Sequence, residues 1–351
     1  MRMELVSIVI PAYNAEGYIK DALKSCFNQT YRPIEIVVVN DGSTDNTVNV
    51  VNSLYASITD SRVTLKVIDI SENKGAANAL NVGFSKAEGD YICWLSADDI
   101  IIDKKKTQKQ INYMKKTGAL WSYYKNFFTG LTFQNAKFVR SSYLPNMHFL
   151  DPLFITSHDL RLMILLFRNP INGSSIMIRK DCIDSFGQFD PITKNVDGDG
   201  DLWLRYSALK LKLKVLNDAT VFYRQHPTQT SKKITSMIYG CELTRMRMLL
   251  SLYKKGALAN LIKKFTPFFP AIFAAKLHLK RPFVSEFLFK YILSDRKKFS
   301  KILLKLARRA LKDSERRIRD LMLNRNKFLE DLEVYMKSPV FKEFEAIYFK
   351  G

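Results

Sequence analysis

The chain of 351 residues lacks any long hydrophobic run, and this bears on how it can meet a membrane. No apolar stretch approaches the ~18 residues that a membrane-spanning helix requires. The apolar run Val6–Pro11 is too short for the core of a signal peptide and gives way at once to Asn14 and Glu16. We therefore expect a cytoplasmic protein that reaches a membrane only from its surface.

Cysteine is also scarce. Its four positions lie far apart, and none forms a C-x-x-C pair; they are Cys26, Cys93, Cys182 and Cys241. This spacing argues against a disulfide scaffold and against a zinc site built on paired cysteines. Reduced thiols in a cytoplasmic protein fit the pattern.

Two common nucleotide-binding signatures are missing. No G-x-G-x-x-G follows the first predicted strand, which argues against a dinucleotide-binding fold. No G-x-x-x-x-G-K-[ST] occurs, which excludes a P-loop NTPase. A nucleotide site in this chain must therefore be built from other residues.

Positive charge, in contrast, is present in excess and unevenly placed. The formal net charge is +21, of which residues 232–351 supply +17, with 28 of the 55 basic and 11 of the 34 acidic residues. This asymmetry predicts a basic C-terminal region for an anionic partner, either a membrane or a polyanion. A solvated helical surface that keeps the protein in solution is the alternative.

Strand and helix patterns alternate through the first half of the chain. Four short apolar runs rich in β-branched or aromatic residues predict buried strands, and they are Val6–Pro11, Ile34–Val39, Val63–Ile70 and Tyr91–Leu95. Helical periodicity fills the segments between them. The alternation predicts an α/β fold whose mostly parallel sheet is flanked by helices, over residues 1–231.

The pattern is weaker after the fourth strand. Residues 118–170 are rich in aromatics and predict short strands with one helix near Leu160–Phe167. A further strand is predicted at Val221–Tyr223.

Residues 232–351 predict a C-terminal region that is helical almost throughout. Within it, the apolar stretch Phe265–Ala275 fits either a segment lying on a membrane or a buried helix and turn. Apolar residues at 3-4 spacing between Leu311 and Tyr335 resemble a coiled-coil seam, although Ser314 and Arg325 interrupt it. The seam predicts either a homo-oligomer through these helices or packing back onto the domain.

Two adjacent carboxylates, Asp98 and Asp99, follow the strand Tyr91–Leu95 directly. Ligands of open α/β sheets bind at the carboxyl ends of the strands. A cation is the simplest partner that keeps both acids ionised, and hard divalent cations often bridge carboxylates to phosphates. The pair predicts a metal–diphosphate site, and the polar loops after the first two strands would face the same sheet edge.

With these motifs in view, the sequence resembles the family 2 glycosyltransferases of GT-A fold. The matching stretches occur in the family's order over roughly residues 4–230, and they are Val6–Asn14, Ile36–Asp45, Asn73–Ala79, Ser96–Asp99, Asn172–Ser175, Asp199–Arg205 and Tyr223–His226. Seven stretches in order make a chance likeness untenable. The resemblance implies a nucleotide-sugar-binding GT-A domain over 1–231, followed by the basic helical extension of 232–351.

The resemblance also implies roles for single residues. Those that would bind the nucleotide sugar are Pro11, Tyr13, Asp41, Lys74, Asp98 and Gly173. Asp99 would be a ligand of Mn²⁺ or Mg²⁺, and His226 would complete the metal or diphosphate site. Asp199 would be the general base, with Asp197 and Asp201 as alternates in the same cluster.

Two positions depart from the family pattern. Ser96 stands where many members have the first aspartate of D-x-D, so one carboxylate is lost. Gly198 stands where a glutamate usually precedes the base, which leaves the choice among Asp197, Asp199 and Asp201 open.

The function implied is a metal-dependent, inverting hexosyltransferase-type enzyme. It would move a sugar, with a UDP-sugar as the favoured donor, to a hydroxyl of a glycan or lipid-linked acceptor in bacterial surface polysaccharide such as capsule, O-antigen or lipooligosaccharide. The basic tail would dock at the inner face of the cell membrane.

Two rival functions come from other classes of protein. Ser96 and Gly198 prompt the first, an inactive scaffold subunit of a glycan-assembly complex. The second is a nucleic-acid-binding protein, suggested by charge alone; it leaves the acidic cluster unexplained, and no nucleic-acid-binding motif appears. We therefore expect no nucleic-acid partner.

Overall fold

The computed structural model describes residues 3–56, 58–195, 198–229, 232 and 234–350. The strands are β1 Val6–Ala12, β2 Ile34–Asp41, β3 Val63–Ile70, β4 Tyr91–Trp94, β5 Ile100–Ile101, β6 Trp121–Gly130, β7 Lys137–Val139, β8 Ile176–Arg179 and β9 Leu213–Arg224. The helices are α1 Ile19–Phe27, α2 Thr47–Tyr55, α3 Ala76–Lys86, α4 Lys106–Thr117, α5 Asp151–Thr156, α6 His158–Leu165, α7 Lys180–Phe186, α8 Gly198–Ala208, α9 Ile234–Lys254, α10 Leu258–Phe265, α11 Phe269–Ala274, α12 Pro282–Ser294, α13 Lys301–Asp320, α14 Arg325–Met336 and α15 Pro339–Lys350.

The chain divides into two compact units. The first unit takes in the described residues of Met1–Ser141, Ile171–Asn195 and Leu211–Gln229. The second takes in those of Ser142–Pro170, Val196–Lys210 and Thr230–Gly351. The sequence predicts a catalytic domain over residues 1–231 and a separate helical region over 232–351. This assignment of catalysis to the first segment stays a prediction.

The first unit is built on a sheet in the order β3-β2-β1-β4-β8-β6-β9-β5, with β7 paired to β6. The first four strands run parallel, β8 joins β4 and β6 in antiparallel pairing, and β6 and β9 are parallel. Every residue of β2 is buried, as a parallel strand covered on both faces must be. The predicted α/β fold is confirmed.

Helix α3 shows how closely the helices of this unit approach the sheet. A Cβ added at Gly83 would lie 2.3 Å from Cγ1 of Val9 and 3.0 Å from Cγ2 of Val39. Glycine therefore lets the helix backbone rest directly on β1 and β2. This contact holds the C-terminal half of α3 against the sheet.

The second unit is helical, as predicted for the C-terminal region. Helix α8 packs against α6 and α9, and α12 packs against α13. Phe265, Phe269 and Ile272 are fully buried, so the structure supports the buried helix and turn over a segment lying on a membrane. Among the helices of the described residues, none has the length and apolarity that a bilayer crossing demands.

Half of the residues of the predicted seam in the C-terminal helices are buried within the chain itself. Ser314, Ile318, Phe328 and Leu332 are at most 6% exposed. These side chains pack inside the second unit, which supports packing back onto the domain. The homo-oligomer through these helices stays a prediction without structural support.

Candidate functional site

The loops after β1 and β2 are tied to each other by side chains. The backbone N–H of Asn14 donates to Oγ of Ser43 at 3.0 Å, and the N–H of Thr44 donates to Oδ1 of Asn14 at 2.8 Å. Asn14 has φ of +48°, a left-handed conformation that asparagine tolerates better than most residues. The two loops therefore form one edge, as predicted from their positions after neighbouring parallel strands.

Asp41, at the end of β2, is buried and has both carboxylate oxygens occupied. Oδ1 accepts from the N–H of Lys74 at 3.0 Å, and Oδ2 accepts from the N–H of Gly75 at 2.8 Å. Asp41 thus positions the loop that precedes α3. The side chain of Lys74 is half exposed, and its Nζ lies 3.5 Å from Oε1 of Glu72.

Two other predicted nucleotide-binding residues lie on the β1 side of this edge. Pro11 is the penultimate residue of β1 and is partly buried. Tyr13 follows the strand and has 50% of its surface exposed. An exposed tyrosine ring offers a face on which a nucleotide base can stack.

Asp99 is enclosed by the protein. It is 1% exposed, its Oδ2 accepts from Oγ of Ser174 at 2.5 Å, and its Oδ1 accepts from the N–H of Arg224 at 3.1 Å. Burial raises the pKa of its carboxyl well above the usual value, and the charge of Asp98 adds to this rise. Both oxygens of Asp99 are therefore committed to holding the loop against β9.

Asp98 has the opposite environment. Its side chain is 24% exposed, and its Oδ2 lies 3.0 Å from Nε2 of His226. Nε2 of Gln229 donates to the same oxygen at 3.3 Å. Of the two adjacent acids, Asp98 is the one that a ligand can reach.

Arg224 explains why the acids and His226 come together. Strand β5, which follows the acids directly, pairs antiparallel with β9, with Ile100 opposite Phe222. The last residue of β9, Arg224, then donates its Nε to the carbonyl oxygen of Asp98 at 3.0 Å and forms an ion pair with Asp21 at 2.8 Å. The histidine two residues further on is thereby placed beside Asp98.

The His226 ring is held on two further sides. It stacks on Tyr18 with ring centroids 4.7 Å apart, and its Nδ1 lies 2.8 Å from Oγ1 of Thr228. Because Nδ1 contacts Thr228, Nε2 is the nitrogen that faces Asp98. Metal-binding histidines usually have one ring nitrogen on the metal and the other in a hydrogen bond.

Gly173 lies where no side chain fits. A Cβ added there would meet the ring of Trp94 at 2.2 Å. The next residue, Ser174, accepts at its Oγ from the N–H of Ser96 at 3.0 Å while donating to Asp99. The glycine therefore allows the turn to close over Trp94 and to anchor the acidic loop.

Asp98 and His226 together offer an oxygen and a nitrogen ligand for a divalent cation. In the part of the chain that the structure describes, no group of three or more metal-ligating side chains occurs. Mg²⁺ typically binds one or two carboxylates and takes its remaining ligands from substrate phosphates and water. The residues present therefore fit a cation that is shared with a phosphorylated substrate, and they do not form an all-protein cage.

In the second unit, Asp201 is fully buried between two arginines. Nε of Arg205 lies 2.9 Å from Oδ2, and Nη2 of Arg247 lies 2.6 Å from Oδ1. Burial alone would raise the pKa of Asp201, but the charges of Arg247 and Arg205 lower it below its usual value. Because this carboxylate is enclosed and paired, it is poorly suited to take a proton from a substrate, and the structure gives Asp201 a stabilising position.

Asp199 is different from Asp201 although it lies in the same first turn of α8. It keeps part of its surface exposed, and its Oδ2 accepts from Nδ2 of Asn169 at 2.9 Å. Desolvation raises the pKa of this carboxyl above its ordinary value. A carboxylate of raised pKa in a partly exposed residue suits a general base. The third alternate, Asp197, lies outside the described residues.

Several residues of this arrangement had no role assigned from the sequence. Ser174 and Arg224 stand inside quoted motifs, and Gln229 and Asn169 lie just beyond or before them. Their positions in or next to the motifs were the only sequence signal for a role in the site. The contacts of Ser174, Arg224 and Gln229 with Asp98 or Asp99 join residues that are 75 to 131 positions apart in the chain.

Comparison with known proteins places the chain in a family. The family model described as Glycosyl transferase family 2 matches residues 7–169. An uncharacterized glycosyltransferase of Haemophilus influenzae is 38% identical over 142 residues, which cover 40% of this chain. The match spans 55% of that relative, so the chain covers about half of its length.

The match to a second relative extends over a larger share of that protein. The Escherichia coli protein named UDP-Glc:alpha-D-GlcNAc-diphosphoundecaprenol beta-1,3-glucosyltransferase WfaP is 30% identical over 231 residues, covering 65% of this chain and 80% of that protein. Among solved structures, S. aureus TarS in complex with UDP-GlcNAc has a TM-score of 0.56 at 16% identity, over 91% of this chain and 90% of that one. The structural likeness establishes the GT-A fold, and the sequence matches establish that this chain belongs to glycosyl transferase family 2, a family of enzymes that transfer sugars.

Proposed function

We propose that this chain is a metal-dependent, inverting glycosyltransferase that uses a UDP-sugar donor and a hydroxyl of a glycan or lipid-linked acceptor in bacterial surface-polysaccharide synthesis. The observation that carries the proposal is the placement of Asp98 beside His226 at the carboxyl edge of the sheet, within 3.0 Å. Tyr13 and Lys74 belong to other loops that follow parallel strands of this sheet, and their exposed side chains suit a base and a diphosphate.

Asp98 and His226 are the residues proposed to hold Mn²⁺ or Mg²⁺. This assignment shifts the metal contact from Asp99, whose oxygens are both engaged by Ser174 and Arg224. A divalent cation bound there would stabilise the negative charge that develops on the leaving diphosphate. Asp99 becomes a positioning residue, because it holds the loop that presents Asp98.

Asp199 is the proposed general base. An acceptor hydroxyl is a weak nucleophile until its proton is removed, and a carboxylate within reach can take that proton in the transition state. The hydroxyl oxygen then bonds to the anomeric carbon while the bond from that carbon to the UDP oxygen breaks. A single displacement of this kind inverts the anomeric centre.

The donor and acceptor classes rest on the relatives. The E. coli relative is named for UDP-Glc and for a GlcNAc-diphosphoundecaprenol acceptor. The matched stretch includes 65% of this chain, so we extend the classes, UDP-sugar and lipid-linked glycan, without extending the particular sugars.

Thermal stabilisation of the purified chain by UDP, GDP, dTDP and CMP, each with and without Mn²⁺, tests the donor site. We expect UDP to raise the midpoint only with Mn²⁺, and the effect to be lost in Asp98→Asn. Asp181→Asn is the matched control, since Asp181 is 58% exposed and contacts Arg179. No shift with any nucleotide would count against the proposal.

Turnover separates the enzyme from the inactive scaffold. The wild type with Mn²⁺ should release UDP from a UDP-sugar when a lipid-linked acceptor is supplied. Metal-dependent binding of UDP without turnover across the common UDP-sugars, unchanged in Asp199→Asn, would favour the scaffold.

A further inference from the structure

The second unit contains a cavity of about 650 Å³ that the proposed transfer reaction does not use. It lies beside the turn that precedes α12 and along the C-terminal half of α13. Its lining residues are mostly basic, and they are Ile238, Lys276, Leu279, Lys280, Arg281, Asp313, Arg316, Arg317 and Asp320. Five cationic side chains thus face two carboxylates and two apolar side chains.

The acidic residues leave much of this charge unbalanced. Oδ1 of Asp313 accepts from Nη2 of Arg316 at 3.0 Å, and its Oδ2 lies 3.5 Å from Nε2 of His278. Within the described residues, no ion pair joins a carboxylate to Lys276, Lys280 or Arg317. The cavity therefore has a surplus of positive charge that its own residues do not neutralise.

Arg281 contributes the feature that is hardest to explain without a ligand. Its Nη1 donates to the carbonyl oxygen of Lys280 at 2.7 Å, but its Nε is buried and has no hydrogen-bond partner within the described residues. Leaving a buried donor of a charged group unpaired is unfavourable. Arg281 also lines the cavity, so an anion bound there would lie next to its guanidinium group.

The cations that line the cavity also repel one another. Partial desolvation and the positive charges of Arg168 and Arg281 lower the pKa of Lys280 below its ordinary value. Like charges held this close repel each other unless an anion lies between them. A surface with only a structural role would keep such cations apart or pair them with carboxylates.

The helix that starts at Pro282 does not provide the anion site through its own backbone. The N–H of Val284 donates to Oε2 of Glu242 at 2.8 Å, so this helix N-terminus already has an acceptor. Recognition in the cavity must therefore come from side chains, and guanidinium groups bind phosphate oxygens in a planar, two-bonded geometry.

We propose that this cavity is a binding site for a phosphate group, held by Arg281 and Arg317 with Lys276 and Lys280 at its mouth. The ligand is the phosphate of a phospholipid headgroup or of a free phosphorylated compound. The proposal does not depend on the proposed transfer reaction, because none of the lining residues is assigned to donor binding or to catalysis.

Two variants with the same loss of charge test the site. Lys280→Gln/Arg317→Gln removes two cations of the cavity, whereas Lys305→Gln/Arg308→Gln removes two exposed cations of α13 that do not line it. Binding of inorganic pyrophosphate to the full chain is measured by calorimetry in EDTA, so that no cation-bridged binding at Asp98 and His226 contributes. Flotation with phosphatidylcholine vesicles, with and without phosphatidylglycerol, forms the second arm at physiological ionic strength.

We expect the cavity variant to bind at least about tenfold more weakly than the control variant in one arm or both, since two charge-assisted contacts are lost. A difference in the pyrophosphate arm alone identifies a free phosphorylated ligand, and a difference with phosphatidylglycerol vesicles identifies a lipid headgroup. Equal binding by the two variants in both arms, or no binding by the wild type, would overturn the proposal. Should the cavity variant lose its cooperative unfolding transition, Lys276→Gln, at an exposed position, is compared with Lys305→Gln instead.

Discussion

Oδ2 of Asp98 lies 3.0 Å from Nε2 of His226, although 128 positions separate the two residues in the chain. The neighbouring Asp99 points to different partners, Ser174 and the backbone of Arg224. Two adjacent carboxylates thus have different tasks, one reachable and one enclosed. This division leads to the first prediction.

Substituting the two acids should separate ligand binding from stability. Asp98→Asn should abolish the Mn²⁺-dependent stabilisation by UDP while changing the midpoint of the free protein little. Asp99→Ala should lower that midpoint by itself, because the hydroxyl of Ser174 and the N–H of Arg224 lose their acceptor at about 1–3 kcal/mol each. Thermal unfolding with and without UDP and Mn²⁺ measures both effects, and the reverse pattern would return the metal contact to Asp99.

The two acids of α8 should also behave differently. Asp199→Asn should reduce kcat by around 10²–10⁴-fold and leave UDP binding unchanged, since it removes only the proposed base. Asp201→Asn should instead destabilise the fold by about 3–5 kcal/mol, because Arg205 and Arg247 keep buried charges without their partner. Steady-state kinetics and urea unfolding distinguish the two, and a stable Asp201→Asn with the larger loss of kcat would contradict the assignment.

The rate should depend on pH through Asp199. Its carboxyl must be ionised to accept a proton, so kcat should fall as the pH drops through the raised pKa of this group. The bond from Asn169 favours the ionised form and opposes that rise. Asn169→Ala should therefore move the acid limb of the pH–rate profile to higher pH. Asn112→Ala on the exposed face of α4 is the control and should leave the limb in place.

Stability should fall with rising pH because of Glu242. Burial raises the pKa of its carboxyl to about 8, whereas in the unfolded chain it titrates near its ordinary value. Between these two values the folded protein holds one proton more than the unfolded chain. The free energy of unfolding should then decrease by up to about 1.4 kcal/mol per pH unit from roughly pH 5 to pH 8.

Glu242→Gln keeps an acceptor for the N–H of Val284 and removes this titration. Its unfolding free energy, measured by urea titration across that range, should show a correspondingly weaker decline with pH. Glu333→Gln, at a residue whose side chain is 67% exposed, should follow the wild type. Parallel curves for the wild type and Glu242→Gln would show that Glu242 is ionised at neutral pH.

The central strands could be predicted because their composition dictates burial. Every residue of β2 is buried, and its apolar run Ile36–Val39 has few other stable placements. The strand β9 was predicted only at Val221–Tyr223, yet it begins at Leu213. Asn217 and Asp218 read as turn residues, and register shifts between β6 and β9 near Asn126 accommodate them.

The site was predictable at the level of motifs and less so at the level of single atoms. The motif loops predicted Asp98, Asp99 and His226 as members of one site, and the structure brings Asp98 to 3.0 Å from His226. Contact of these residues with a ligand stays a prediction. Which carboxylate is open depends on Ser174 and Arg224, whose contacts form only after the sheet has brought distant segments together. Local sequence carries no information on that choice, because adjacent aspartates are equivalent until the tertiary contacts are made.

The acidic loop is fastened at both of its ends. The N–H of Ser96 donates to Ser174, the carbonyl oxygen of Asp98 accepts from Arg224, and Asp99 is enclosed. Conformational entropy of this loop is therefore lost when the protein folds. A ligand that arrives at Asp98 meets a backbone that is already ordered, so its binding free energy is not reduced by the ordering of this loop.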